Sequence, residues 1–121
     1  RADTVLVCGR EDHLVVGADG RLGYTPEPRQ LAYRPSVDVF FHSLAENHHY
    51  QSVGVLLTGM GNDGSEALGE MQLTGAATIA QDEASSVVWG MPGEVVKRGF
   101  ADEILPLGKI AGRLRTLVEN R

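Results

Sequence analysis

Val53-Gly-Val-Leu-Leu57, followed at once by Thr58-Gly-Met-Gly-Asn-Asp-Gly64 and then by Ser65-Glu-Ala-Leu-Gly-Glu-Met71, decides how this chain folds. The first piece is a short apolar run with valine at its alternate positions, the kind that is buried on both faces of a sheet. The second is a glycine-rich turn. The third sets Ala67, Leu68 and Met71 on one helical face, and Gly75 ends the helix because glycine accepts the left-handed conformation there. Ala76-Ala-Thr-Ile-Ala80 then reads as another strand. Strand, turn, helix and strand in this order form the unit of a parallel sheet with a right-handed crossover.

Toward the amino end, Thr4-Val-Leu-Val-Cys8 has the same continuous apolar character and reads as a buried strand. Gly9 to Asp12 turns the chain. His13 to Val16 and Arg21 to Tyr24, separated by Gly17-Ala-Asp-Gly20, read as a hairpin. Pro26 and Pro28 mark an irregular stretch ending near Tyr33. Ser36 has the chemistry of a helix N-cap, and Asp38 falls in the first turn, where the helix dipole favours a carboxylate. Val37, Phe40, Phe41, Leu44 and Ala45 then follow helical spacing. Toward the carboxyl end, Gln81 to Trp89 is a loop of small and polar residues. Gly90-Met-Pro92 opens a short helix to about Arg98. Leu107, Ile110, Ala111, Leu114, Leu117 and Val118 form a last helical stripe. The fold class is therefore α/β, a partial doubly wound parallel sheet with helices on both faces in three Rossmann-like layers. It is partial because about three core strands are few for such a sheet, and the first residue is Arg1 rather than methionine.

The bulk properties bound the function. The 121 residues are 42% hydrophobic and 22% charged, an ordinary composition for a globular domain, and no apolar run approaches the length of a membrane span. A net charge of −5 without a basic block argues against nucleic acid as a partner. The single cysteine, Cys8, cannot form an internal disulfide, and its apolar neighbours suggest a buried thiol in a reducing cytoplasm.

Ligands of open parallel sheets bind at the carboxyl ends of the strands. The loop from Thr58 to Gly64 stands there, with backbone N–H groups able to face a developing oxyanion and Asp63 at its junction with the next helix. Two plain readings compete for these residues. Asp63 is a residue type that caps helices. Gly59-x-Gly61-x-x-Gly64 also matches the dinucleotide fingerprint between a strand and a helix, with Asp82 and Glu83 placed for a ribose. Against the latter, Asp63 would set a carboxylate beside a pyrophosphate.

The longer string Val55-Leu-Leu-Thr-Gly-Met-Gly-Asn-Asp-Gly-Ser65 resembles the signature of CheB-type chemotaxis protein-glutamate methylesterases. Asp12-His-Leu14, Arg34-Pro-Ser-Val-Asp38, Ile79-Ala-Gln-Asp-Glu-Ala-Ser85 and Gly90-Met-Pro92 resemble further segments of that family, in its order and across nearly the whole chain. The resemblance implies a hydrolase that demethylates glutamate methyl esters, and deamidates certain glutamines, on the cytoplasmic helices of chemoreceptors. It implies a Ser-His-Asp triad with no metal or cofactor, and often a phosphorylatable receiver domain in the parent chain. Asp63 matches the triad aspartate and Met60 an oxyanion-hole position acting through its backbone N–H. Gly61, Asn62, Trp89 and Met91 are weaker substrate-side candidates. The family's serine and histidine lie upstream of the matched segments, so the chain by itself is expected to be the C-terminal portion of a catalytic domain, inactive as an esterase and prone to self-association through bare sheet edges. His13 reads as structural or substrate-lining, His42 as partly exposed, and His48 and His49 as a helix end. Ser36, Ser65, Ser85 and Ser86 read as caps or loop polar residues, Gln81 to Glu83 as a solvated loop, and Arg34 as a partner for a nearby carboxylate such as Asp38. A non-catalytic binding module of chemotaxis-type signalling and a dinucleotide-binding domain are the alternatives.

Overall fold

The computed structural model describes residues 4–31, 33–47 and 51–119. Three parallel strands form its centre: β3 (Val53–Leu56), β4 (Ala77–Gln81) and β5 (Glu103–Leu105), in the order β3-β4-β5. An antiparallel hairpin of β1 (His13–Val16) and β2 (Leu22–Thr25) precedes them, paired from His13 with Thr25 to Val16 with Leu22. Four helices complete the chain: α1 (Val37–Glu46), α2 (Ser65–Leu73), α3 (Gly90–Lys97) and α4 (Leu107–Glu119). No helix of the described residues is long and apolar enough to cross a membrane.

The core lies between the sheet and the first three helices. Leu56 of β3 and Ala80 of β4 meet Leu68 and Met71 of α2, Val95 of α3 and Ala45 of α1. Leu68 and Met71 are completely buried, and each contributes roughly 1.5–3 kcal/mol by leaving water. Period-2 alternation puts Ile79 on the face of β4 opposite Ala80, and Ile79 is also fully buried, so β4 is covered on both sides. Helix α4 packs against β4 with Ile110 buried. Helix α2 stops as its sequence predicts. The Ala76 N–H donates to the Met71 carbonyl and the Gly75 N–H to the Gln72 carbonyl, both at 3.1 Å, closing a Schellman motif around Gly75 at φ +97°.

Two sequence expectations need correction here. Thr4–Cys8 is not a strand: Val5 is 90% exposed and Val7 79%, and Cys8 is half-buried. A strand exists by its ladder, and among the described residues no neighbour offers this run one; its apolar, β-branched character alone does not fix it. The third strand of the sheet is instead β5, whose three residues are too few to show a period. Its place is set by the preceding turn, where the Asp102 carboxylate accepts the Thr78 N–H at 2.9 Å and the Gln72 side-chain amide at 2.9 Å. The hairpin and all four helices lie where the sequence places them. His48 and His49 lie outside the described residues.

Candidate active site

At the carboxyl end of β3 the chain enters the glycine-rich turn, and this turn is fastened to the loop between β4 and α3. The Thr58 hydroxyl donates to the Val88 carbonyl at 2.7 Å and accepts the Val88 N–H at 2.8 Å. The Gly59 N–H also reaches the Val88 carbonyl, and the Met91 N–H donates to the Gly59 carbonyl, each at 2.9 Å. Gly90 stands at the crossing. A Cβ there would lie 2.9 Å from both the Gly59 carbonyl oxygen and the Gly61 nitrogen, so only glycine lets the two loops touch.

Gln81 holds this pair of loops from below, and the sequence reading of it as a solvated residue is wrong. It is 1% exposed. Its Oε1 accepts the Thr58 N–H at 2.7 Å while its amide nitrogen donates to the Ser85 carbonyl at 2.8 Å. Its own carbonyl accepts the Trp89 indole N–H at 2.8 Å. Placed last in β4, it has its side chain drawn inward by unpaired loop groups that must be satisfied. Asp82 is spent on the same loop, its Oδ1 accepting the Ser85 N–H and hydroxyl. Glu83 is exposed.

Asp63 is buried, 6% exposed, at the end of the turn. Its Oδ1 accepts the Ser36 hydroxyl at 2.8 Å and the Asp38 N–H at 3.1 Å, and its Oδ2 accepts the Val37 N–H at 2.8 Å. Asp63 does cap a helix, then, but that helix is α1 rather than the α2 it precedes. The amino end of α1 carries the partial positive charge of the helix dipole, which suits an ionised carboxylate. An ionised carboxylate has about four lone-pair sites. The described residues fill three of them, two on Oδ1 and one on Oδ2. Gly64 follows at φ +94°, packed on Val37, so the backbone reverses directly beneath the α1 end.

Helix α2 begins at Gly64, which has no side chain to cap it, and the missing acceptor comes from α1: Asp38 Oδ1 accepts the Ala67 N–H at 3.0 Å. The amino end of α2, where a dinucleotide would seat its pyrophosphate, therefore already holds a carboxylate. Arg34 does pair with a nearby carboxylate, but that carboxylate is Asp12 rather than Asp38. Arg34 lies 3.8 Å from Asp12 and donates to the Pro28 carbonyl.

The remaining candidates fall into place around this centre. Met60 is 77% exposed at the tip of the turn, and among the described residues none accepts a hydrogen bond from its N–H. Gly61 and Asn62 are exposed beside it, the Asn62 carbonyl taking the Ser65 N–H and hydroxyl. Trp89 is half-buried, its ring against Gly93. Met91 is packing, against Gly59 and the core.

His13 is fully buried and structural. The Ser36 N–H can only donate, so His13 Nδ1 accepts it at 3.0 Å; Nε2 then carries the proton and donates to the Pro28 carbonyl at 2.8 Å. His42 is half-exposed between Glu70 and Glu46. The hydrogen bond to Glu70 raises its pKa most, and the charges of Glu70 and Glu46 add to this while burial opposes it. No described histidine is hydrogen-bonded to Asp63. The hydroxyls of Ser65, Ser85 and Ser86 go to Asn62, Asp82 and Asp82 respectively, and that of Ser36 to Asp63. Among the described residues no three His, Cys, Asp or Glu side chains are grouped as metal ligands would be.

The CheB methylesterase family model matches residues 1–114. The chain belongs to the CheB methylesterase family. It is 52% identical over 114 residues to protein-glutamate methylesterase/protein-glutamine glutaminase 2 of Cupriavidus metallidurans, covering 94% of this chain and 34% of that protein. It is 53% identical over 113 residues to the corresponding protein 1 of Bordetella avium, covering 93% of this chain and 33% of that one. The chain thus spans about a third of the length of the curated relatives it matches. In structure it resembles the Thermotoga maritima CheB methylesterase catalytic domain, with a TM-score of 0.81 at 34% identity, over 88% of this chain and 58% of that one. The CheB comparison agrees with the α/β reading of the fold drawn from the β3–α2–β4 unit.

Proposed function

We propose that this chain is the C-terminal portion of a CheB catalytic domain that hydrolyses glutamate methyl esters, and deamidates glutamines, on the cytoplasmic helices of chemoreceptors. The observation that carries this reading is the setting of Asp63 at the end of the glycine-rich turn: buried, and oriented by three donors from the start of α1. One lone pair of Oδ2 takes no donor among the described residues. In a Ser-His-Asp mechanism that site takes the Nδ1–H of the histidine, fixing its tautomer and stabilising the imidazolium. The serine and histidine come from the preceding part of the catalytic domain. The serine oxygen attacks the ester carbonyl, the histidine takes its proton and delivers it to the departing methoxide, and methanol leaves. Water then cleaves the acyl-enzyme by the same route in reverse, regenerating the serine and freeing the glutamate. With a glutamine substrate the leaving group is ammonia. The N–H of Met60, which has no acceptor among the described residues, is available to the tetrahedral oxyanion, and Gly61, Asn62 and Trp89 border the substrate.

No step needs a metal or cofactor. A receiver domain in the parent chain and a cytoplasmic location fit this reading. Among the described residues no histidine reaches Asp63, and the chain by itself is expected to release no methanol. The decisive experiment is methanol release from methylated receptor membranes by the complete protein, with and without Asp63→Asn. A loss on the order of 10⁴ in turnover with the fold intact supports the triad role. A near-normal variant reduces Asp63 to the cap of α1.

A further inference from the structure

We infer that Ser36 is a positioning residue for the Asp63 carboxylate, held in place in turn by His13. This rests on the reading of Asp63 as the triad acid and adds residues that the triad does not contain.

The terminal torsion of an aspartate is broad, so a carboxylate that must present one lone pair to an imidazole has to be locked by its surroundings. Three donors lock Asp63, and all come from one rigid place, the first turn of α1. Two are backbone amides. The third, the Ser36 hydroxyl, is the only side chain among them. It is also polarised in a single direction: it receives the Val39 N–H at 3.4 Å as the N-cap and gives its own proton to Asp63 Oδ1. The Ser36 backbone is fixed by its N–H to His13 Nδ1, and His13 by its Nε2–H to the Pro28 carbonyl. Every link from Pro28 to Asp63 can run in one polarity only. Ser36, His13 and Asp63 are all buried, where such a network is stiff and an unmade bond costly. Among the described residues, the second lone pair of Oδ2 is the one that takes no donor.

A simple N-cap would stabilise α1 and leave the chemical step untouched. The test therefore reads turnover, in the complete protein, on methylated receptor. Ser36→Gly removes the hydroxyl but keeps the backbone N–H for His13 and a residue type accepted at an N-cap. The expected result is a fall in kcat of about tenfold to a hundredfold with KM within about twofold, since a carboxylate set wrongly misplaces the base rather than the substrate. Ser36→Thr, which keeps the hydroxyl, should recover most of that loss. In an Asp63→Asn background Ser36→Gly should cost less than about threefold more, because residues that act as a unit are not additive. If Ser36→Gly is unfolded by circular dichroism, Ser36→Cys, similar in size with only a weak donor, replaces it with the same expectations.

A kcat within about twofold of wild type for Ser36→Gly, beside an inactive Asp63→Asn, overturns the proposal and leaves the triad reading standing. A fully multiplicative loss in the double variant overturns it as well. Wild-type turnover by Asp63→Asn removes the triad reading, and this proposal falls with it.

Discussion

Asp38 and Asp63 cap each other's helices. Asp63, just ahead of α2, accepts the Val37 and Asp38 N–H groups of α1, and Asp38, in α1, accepts the Ala67 N–H of α2. Each helix start is completed by a carboxylate from the other, so the position of the candidate triad acid is fixed by the pairing of α1 with α2 rather than by its own loop.

Asp63→Asn should therefore act on stability as well as turnover. Asparagine offers one acceptor and one NH₂ group, which must face a backbone donor of α1 whichever way it is turned. A buried donor left unmet costs about 1–3 kcal/mol. Urea unfolding of the complete protein should show a lower midpoint for Asp63→Asn, and an unchanged midpoint would mean that the three hydrogen bonds are not all present.

Removing the other half of the exchange should be milder. Asp38→Ala strips α2 of the one side-chain cap it has among the described residues and is expected to cost about 1 kcal/mol, with Asp38→Asn, which keeps an acceptor, losing less. Equal losses from the two would show that the charge matters and the hydrogen bond to Ala67 does not.

His42 ties α1 to Glu70 of α2 in a pH-dependent way. Its pKa is raised above the ordinary value of about 6.5, first by the Glu70 hydrogen bond. The stability it adds is therefore complete below that ordinary value and disappears as the pH rises through the raised folded value. The pair is exposed, so the effect is expected to stay under about 1 kcal/mol. Proton NMR titration should give His42 a higher pKa than in an unfolded peptide, and Glu70→Gln should bring it down.

Gln81→Leu should loosen both loops at once. It leaves the part-buried Thr58 N–H without its acceptor and removes the bond to the Ser85 carbonyl, for an expected loss of about 1 kcal/mol or more. Amide hydrogen exchange at Thr58 and Gly59 should accelerate together; acceleration confined to Thr58 would show that the Val88 contacts hold the turn alone.

Much of this was legible in the chain. The α2 boundaries followed from Gly64, the Ala67-Leu68-Met71 face and Gly75, because helix ends and apolar spacing are local properties. Ser36 was readable as an N-cap for the same reason. Its second bond, to Asp63 at 27 residues' separation, was not. Nor was the burial of Gln81, since a glutamine in a polar loop looks alike whether it faces water or the loop's own backbone. Asp63 shows the limit most clearly: its residue type predicted a cap correctly, but sequence order pointed to the wrong helix. Thr4–Cys8 failed for the complementary reason. Its composition suits a strand, and strand formation is a property of the partner as much as of the run.

Among the described residues β3 pairs on one side only, with β4. Its other edge carries a row of backbone donors and acceptors, flanked by a shallow apolar cleft where Val55 and Leu57 meet Leu14, Phe40 and Phe41. A strand laid on that edge parallel to β3 would finish level with the end of β3, where the glycine-rich turn begins. The open edge is thus a delivery rail. It brings the carboxyl end of any strand that pairs there in parallel with β3 to the side of the sheet where the glycine-rich turn and Asp63 stand.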